Sequence, residues 1–220
     1  MRVRHGAADL PGQASRNSQL AKLRSAKLYV ITPDAAPDRV IDIATAAQRG
    51  GADVIQLRHK ALPRGELLDL ARRLRELITE ALLIVNDHVD IALLSHADGV
   101  HLGPDDVTVA SARKVAGDRL VVGVSASKVD AVPPEADYVG CGPAFATPLK
   151  PQKQVIGPEG VAALSKAVSI PVFAIGGIDE SNVGLLTALG IRRVCVVRAV
   201  ADAPDPEQAT RRLRAMLDSE

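Results

Sequence analysis

The stretch LLIVNDHVDIALLSHADGVHLG, residues 82–103, decides the reading of the whole chain. It opens with the short apolar run Leu82–Val85 and breaks at Asn86-Asp87-His88. A helix-length segment follows from about His88, and the stretch closes on a second run, Gly99–Leu102. Short apolar runs bounded by polar turn residues suit strands buried on both faces. Two of them joined by a helix-length segment make a strand–helix–strand unit with parallel strands.

The same alternation extends outward from Lys27. Leu28–Thr32, Val54–Leu57, Leu120–Val124, Tyr138–Cys141, Val172–Ile175 and Val194–Val197 join the two runs above, giving eight strand candidates. The clearest helix between them carries Leu67, Leu70, Ala71, Leu74, Leu77, Ile78 and Ala81 on one face. Gly50 and Gly51 are expected to close the first helix and Gly190 the seventh, with Asp179 or Ser181 capping the seventh at its start. Eight strand–helix units over residues 27–220 leave roughly 24 residues each, lean for a (β/α)8 TIM barrel of usually about 250. The rival, a doubly wound open sheet, needs a glycine-rich loop after the first strand, and Thr32-Pro33-Asp34-Ala35 is not one. The expectation is an α/β fold: one (β/α)8 barrel domain over residues 27–220.

Composition narrows the function. The 220 residues are 47% hydrophobic but only 2% aromatic, so the core must be built from Val, Ile, Leu and Ala. A formal charge of +1 argues against a nucleic-acid partner, and no run approaches the length of a membrane-spanning helix. Cys141 and Cys195 lie far apart inside apolar runs, which fits core thiols in a reducing cytoplasm rather than a disulfide or zinc site. Residues 1–27 carry six basic side chains against one acid, without periodicity. Residues 1–26 are therefore expected to be a disordered basic tail, with a targeting segment the less favoured reading. A homodimer is left open.

In such a barrel, residues just past each strand converge on one mouth. Gln56-Leu57-Arg58-His59-Lys60 follows the second strand and brings two cations there, or makes a solvated basic turn. Asp87, after the third strand, and Asp105-Asp106, after the fourth, either open helices or face each other across the mouth. Two facing carboxylates suit magnesium, which takes one or two of them plus substrate phosphates. Cations beside that ion suit a diphosphate. Ser125 ends the fifth strand with no visible histidine partner, so a hydrogen-bonding role is expected rather than a nucleophilic one. His59 and His101 stand near the mouth, without assignment as general bases. A proline-pinned loop, Gly142 to Gln152, follows the sixth strand and carries Thr147 and Lys150. Gly176-Gly177 after the seventh strand and Val197-Arg198 after the eighth lie where barrels recurrently bind a phosphate monoester.

Taken in order, Leu28–Thr32, Gln56–Lys60, Val85–Asp87, Ala97–Gly103, Gly123–Ser125, Ala136–Gly140, Phe145–Lys150 and Ala174–Ile178 resemble the thiamine phosphate synthase family over about residues 27–215. The resemblance implies a (β/α)8 barrel joining a hydroxymethylpyrimidine diphosphate to a thiazole phosphate, or its carboxylated form, with release of diphosphate. It implies that Gln56, Arg58, Lys60, Asn86, Ser125 and Lys150 bind the pyrimidine diphosphate, with Arg58, Ser125 and Lys150 acting in catalysis. Asp87 and Asp106 would hold magnesium. Thr147, Gly176, Gly177, Val197 and Arg198 would bind the remaining substrate groups.

The chain departs from the family pattern at His59, where an acid is usual, and at Pro104, where Gln is usual. Leu149 replaces a usual Thr, Arg198 a frequent Ser, and the loop after Ser125 is short and lacks a common Thr-His pair. The rivals are a thiazole tautomerase of the same fold, which uses a histidine in that loop, and a non-catalytic barrel binding a thiamine-pathway ligand.

Overall fold

Every residue of the strand cores Leu28–Ile31 (β1) and Val54–Leu57 (β2) is buried, as is Val194–Val196 (β8). Only a sheet covered on both faces buries consecutive residues in this way. In the computed structural model, which describes residues 16–147 and 154–219, that sheet is a closed parallel barrel. The remaining strands are Leu82–Asn86 (β3), Gly99–Leu102 (β4), Val121–Ser125 (β5), Tyr138–Cys141 (β6) and Val172–Ile175 (β7). Strands pair in sequence order, and β1 closes on β8 with Leu28 opposite Val194. The eight-stranded (β/α)8 expectation holds, with strand ends shifted by a residue at most.

Helices α1 (Arg16–Ser25), α2 (Pro37–Arg49), α3 (Arg64–Leu77), α4 (Val89–Leu94), α5 (Val109–Ala116), α6 (Gly157–Ala167), α7 (Val183–Thr187), α8 (Arg198–Ala201) and α9 (Pro206–Asp218) complete the described elements. The fifth unit departs from the expected alternation: β5 and β6 are joined through a single 3-10 turn, Val129–Ala131. The twelve residues between these strands include Pro133-Pro134, which cannot sustain a helix interior. The long helix also ends sooner than its periodicity suggests, because Ile78 leaves helical geometry with φ −93° and ψ 95°. The seventh helix starts beyond its expected caps: Asn182 holds the N-cap position, while Asp179 Oδ1 accepts from Ser181 N.

The expected tail boundary at residue 26 is corrected for residues 16–25, which form α1. Residues 1–15 lie outside the described residues. The helix has almost no apolar stripe, yet Leu23 is fully buried in the cluster at the barrel's interior. Polar anchors hold the rest: Arg16 Nη2 donates to Asp137 Oδ1 at 2.6 Å, and Gln19 Nε2 to Asp98 Oδ1 at 3.3 Å. Among the described residues no helix is long and apolar enough to cross a membrane.

Two apolar layers result. Val, Ile, Leu and Ala fill the space between sheet and helices. Inside the barrel, the scarce aromatics concentrate: Tyr29, Tyr138 and Phe173 meet edge-on or tilted, with centroids 5.4–5.9 Å apart.

Candidate active site at the barrel mouth

The end of β2 is tied to the end of β1 before it reaches the mouth. The buried Thr32 hydroxyl accepts from Arg58 N at 3.1 Å, and Asp34 accepts from Lys60 N at 2.6 Å and from Arg58 Nη1 at 2.9 Å. Although partial burial works against it, the Lys60 N–H and the Arg58 guanidinium hold the Asp34 carboxyl below its ordinary pKa. Sequence reasoning passed over Asp34; the signal available was an acid two residues past a strand end. His59 is engaged by the loops after β1 and β2. Its Nδ1 accepts from Leu62 N at 3.1 Å, so Nε2 carries the proton and donates to the Ala35 carbonyl at 2.9 Å. The histidine at the usual acid position therefore staples two loops together.

Lys60 Nζ reaches Asp87 Oδ2 at 3.4 Å. Asp87 follows Asn86 at the end of β3 and adopts φ 65°, a left-handed conformation rare for a residue other than glycine. Its amide donates to the His101 carbonyl at 2.8 Å, which anchors the turn to β4. Asp106 lies beside it: Oδ2 accepts from Gly103 N at 2.7 Å. Partial burial and the neighbouring Asp87 carboxylate raise the Asp106 pKa, against the Gly103 N–H that favours the anion. The two acids from neighbouring strands thus come together, with Lys60 as their cation.

Two hard oxygen ligands fit magnesium, and among the described residues no group of three or more His, Cys, Asp or Glu is arranged to hold a metal alone. Water or ligand oxygens would complete the coordination of an ion here. Asp87 and Asp106 suit one that arrives with phosphate.

Gln56 sits deeper than the two cations that follow it. It is only 2% exposed and donates from Nε2 to the Tyr29 hydroxyl at 2.7 Å. Ser125 at the end of β5 does have a histidine partner, contrary to the sequence expectation: His101 Nε2 lies 2.9 Å from its Oγ. The two residues occupy adjacent strands, a pairing that depends on register. Both cysteines are buried; burial pushes the Cys141 thiol up to about 11 and the Cys195 thiol higher, so neither is a nucleophile.

On the far side of the mouth, Gly176 and Gly177 follow β7 with φ 103° and 64°. The start of the loop after β6 packs directly on them. Ala144 N donates to Ile175 O at 2.8 Å and Phe145 N to Gly176 O at 2.9 Å. A Cβ at Gly177 would collide with the Ala146 carbonyl oxygen, so close approach and positive φ both require glycine. Val197 caps α8, and Arg198 turns outward to pair with Asp202 at 2.8 Å. Thr147 is the last described residue before the gap, and Lys150 and Leu149 lie outside the described residues.

Acids and cations at one rim and a glycine turn at the opposite rim place charged groups and a close-packed turn at the carboxyl ends of the strands, where (β/α)8 enzymes carry their active sites. The family model described as thiamine monophosphate synthase matches residues 28–200. The chain belongs to that family. It is 43% identical over 206 residues to a thiamine-phosphate synthase of Thermosynechococcus vestitus, covering 91% of this chain and 58% of the relative. A thiamine-phosphate synthase of Roseiflexus sp. is 43% identical over 201 residues, with 87% and 85% covered. The chain therefore spans little more than half of one such relative and most of another. Among solved structures, a thiamine phosphate pyrophosphorylase from Pyrococcus furiosus matches with TM-score 0.81 at 36% identity, over 91% of this chain and 98% of that one.

Proposed function

We propose that the chain catalyses thiamine phosphate synthesis, joining a hydroxymethylpyrimidine diphosphate to a thiazole phosphate or its carboxylated form. The observation that carries the reading is the convergence of Asp87 and Asp106 beside Lys60, opposite the glycine turn. The relatives' names supply the reaction.

In this reading Asp87 and Asp106 hold a magnesium ion. When bound, that ion neutralises charge on the leaving diphosphate. Lys60, Arg58 and Lys150 add positive charge around the same oxygens, and Asn86, Gln56 and Ser125 orient the pyrimidine. The ring's amino group donates electrons as the CH2–O bond breaks. The C–O bonding pair leaves with the diphosphate, and the thiazole nitrogen lone pair then forms the new C–N bond. The protein's task is positioning and charge stabilisation, and no strong base is needed. The Gly176-Gly177 turn and the Val197-Arg198 turn hold the thiazole phosphate through backbone groups, and Thr147 begins the substrate loop. The two buried thiols suit a reducing cytoplasm, and the proposed substrates are small molecules.

The test incubates the full chain with both substrates and magnesium and follows thiamine phosphate by mass spectrometry. Product that disappears with a chelator supports the reading. Thiazole isomerisation without coupling indicates the tautomerase, and binding without either reaction indicates a ligand-binding barrel.

A further inference from the structure

Five polar side chains from five strands form one hydrogen-bonded chain inside the barrel. Gln56 Nε2 lies 2.7 Å from the Tyr29 hydroxyl, which is 2.9 Å from the Tyr138 hydroxyl. The Tyr138 hydroxyl is 3.1 Å from His101 Nδ1, and His101 Nε2 is 2.9 Å from Ser125 Oγ. Tyr29, Gln56 and Tyr138 are all at most 2% exposed. A buried polar chain has little margin for error, because any member left without a partner costs the full desolvation of that group.

The chain has a direction. An amide N–H can only donate, so the Tyr29 oxygen accepts from Gln56. Each hydroxyl carries one proton, and Tyr29 must give its own to Tyr138. Burial holds both phenols far above their ordinary pKa, so those protons stay in place. Tyr138, having accepted, donates to His101 Nδ1. A ring nitrogen that accepts carries no proton, so neutral His101 is protonated on Nε2 and donates to Ser125 Oγ. The Ser125 proton is the one the chain does not consume.

We infer that Tyr138 is a positioning residue: it fixes His101 as the Nε2–H tautomer and so makes Ser125 a one-way hydrogen-bond donor toward the pyrimidine diphosphate. The substrate half of this statement rests on the proposed function; the tautomer half does not. His101 then withdraws nothing from Ser125, and the pair is the reverse of a nucleophile and its base. Gly123 belongs to the same arrangement. It stands opposite Tyr138 in the β5–β6 register, and a Cβ there would overlap the tyrosine ring, so glycine alone lets the phenol lie across the barrel toward His101.

The wild-type tautomer is read directly by 15N NMR of the imidazoles in the full chain, with the His101 signals assigned by their loss in His101→Asn. The expected result is a His101 proton on Nε2. A proton on Nδ1 would mean that the Gln56 carbonyl faces Tyr29 and the whole chain runs backwards, which overturns the inference. Tyr138→Phe keeps the ring against Phe173 and removes one hydroxyl. It is expected to bring a population of the Nδ1–H tautomer. kcat is expected to fall about tenfold, the worth of one or two hydrogen bonds, with the KM for thiazole phosphate unchanged. An unchanged spectrum and unchanged kcat in a folded variant would overturn the role of Tyr138. If no substrate pair turns over, the proposed function fails while the wild-type spectrum still decides the relay.

Discussion

The two ends of the barrel use aspartate in opposite ways. At the amino-terminal end, Asp53, Asp98 and Asp137 each directly precede an even-numbered strand, in the repeated pair Ala-Asp. Each accepts from the backbone of the strand before it and from an arginine. Asp53 takes Leu28 N at 2.9 Å and Arg214 at 2.7 Å, and Asp98 takes Leu83 N and Arg75, both at 2.8 Å. Asp137 takes Val122 N at 2.7 Å and Arg113. Helix α1 supplies further donors to Asp98 and Asp137. At the mouth, Asp87 and Asp106 instead crowd each other, with an exposed lysine as their cation and a left-handed backbone at Asp87. Acids that close their own hydrogen bonds hold the barrel together. Acids left in mutual repulsion suit the cation-binding role proposed for them.

The difference is broken most sharply by Asp87→Ala. Loss of several kcal/mol of charge stabilisation should lower turnover by about 10³-fold. The melting temperature should hold, because the carboxylate's ion pair is with the exposed Lys60 and the turn is anchored to β4 by the Asp87 amide; steady-state kinetics and calorimetry check both. Asp98→Ala should do the reverse. Removing one partner of a buried pair takes the acceptor from Arg75 Nη1 and the Leu83 N–H and should cost about 3 kcal/mol of stability. Denaturant unfolding measures that loss, with kcat/KM of the folded fraction unchanged. Gly177→Ala strains the phosphate turn against Ala146 and should raise the KM for thiazole phosphate by about tenfold, with the KM for the pyrimidine diphosphate unaffected. The smallest effect belongs to Asp34→Ala, which frees the Arg58–Lys60 arm. The KM for the pyrimidine diphosphate should rise about fivefold at constant kcat, since the partners are half exposed and water replaces much of the tie.

Much of this was legible in the residues. Strand cores announced themselves because both faces are buried, leaving uninterrupted apolar runs such as Leu82–Val85. The mouth acids and cations followed from their place at strand ends. Helix α1 was not legible, because it docks through Arg16 and Gln19 onto acids about 80 to 120 residues away and has no apolar period to read. The His101–Ser125 pair was hidden for a related reason: alternation says which face a side chain takes, but its neighbour comes from the register of another strand. Asp34 was missed because its partners, Arg58 and the Lys60 amide, also lie on another strand's end.

The account turns on whether the crowded carboxylates at the mouth serve a shared cation. Manganese binding followed by electron paramagnetic resonance, in the presence of inorganic diphosphate, tests this directly in the wild-type chain, Asp87→Asn and Asp106→Asn. The account predicts one bound ion in the wild type and loss of most of that affinity in each variant, with both variants folded. Equal affinity in all three proteins would contradict it.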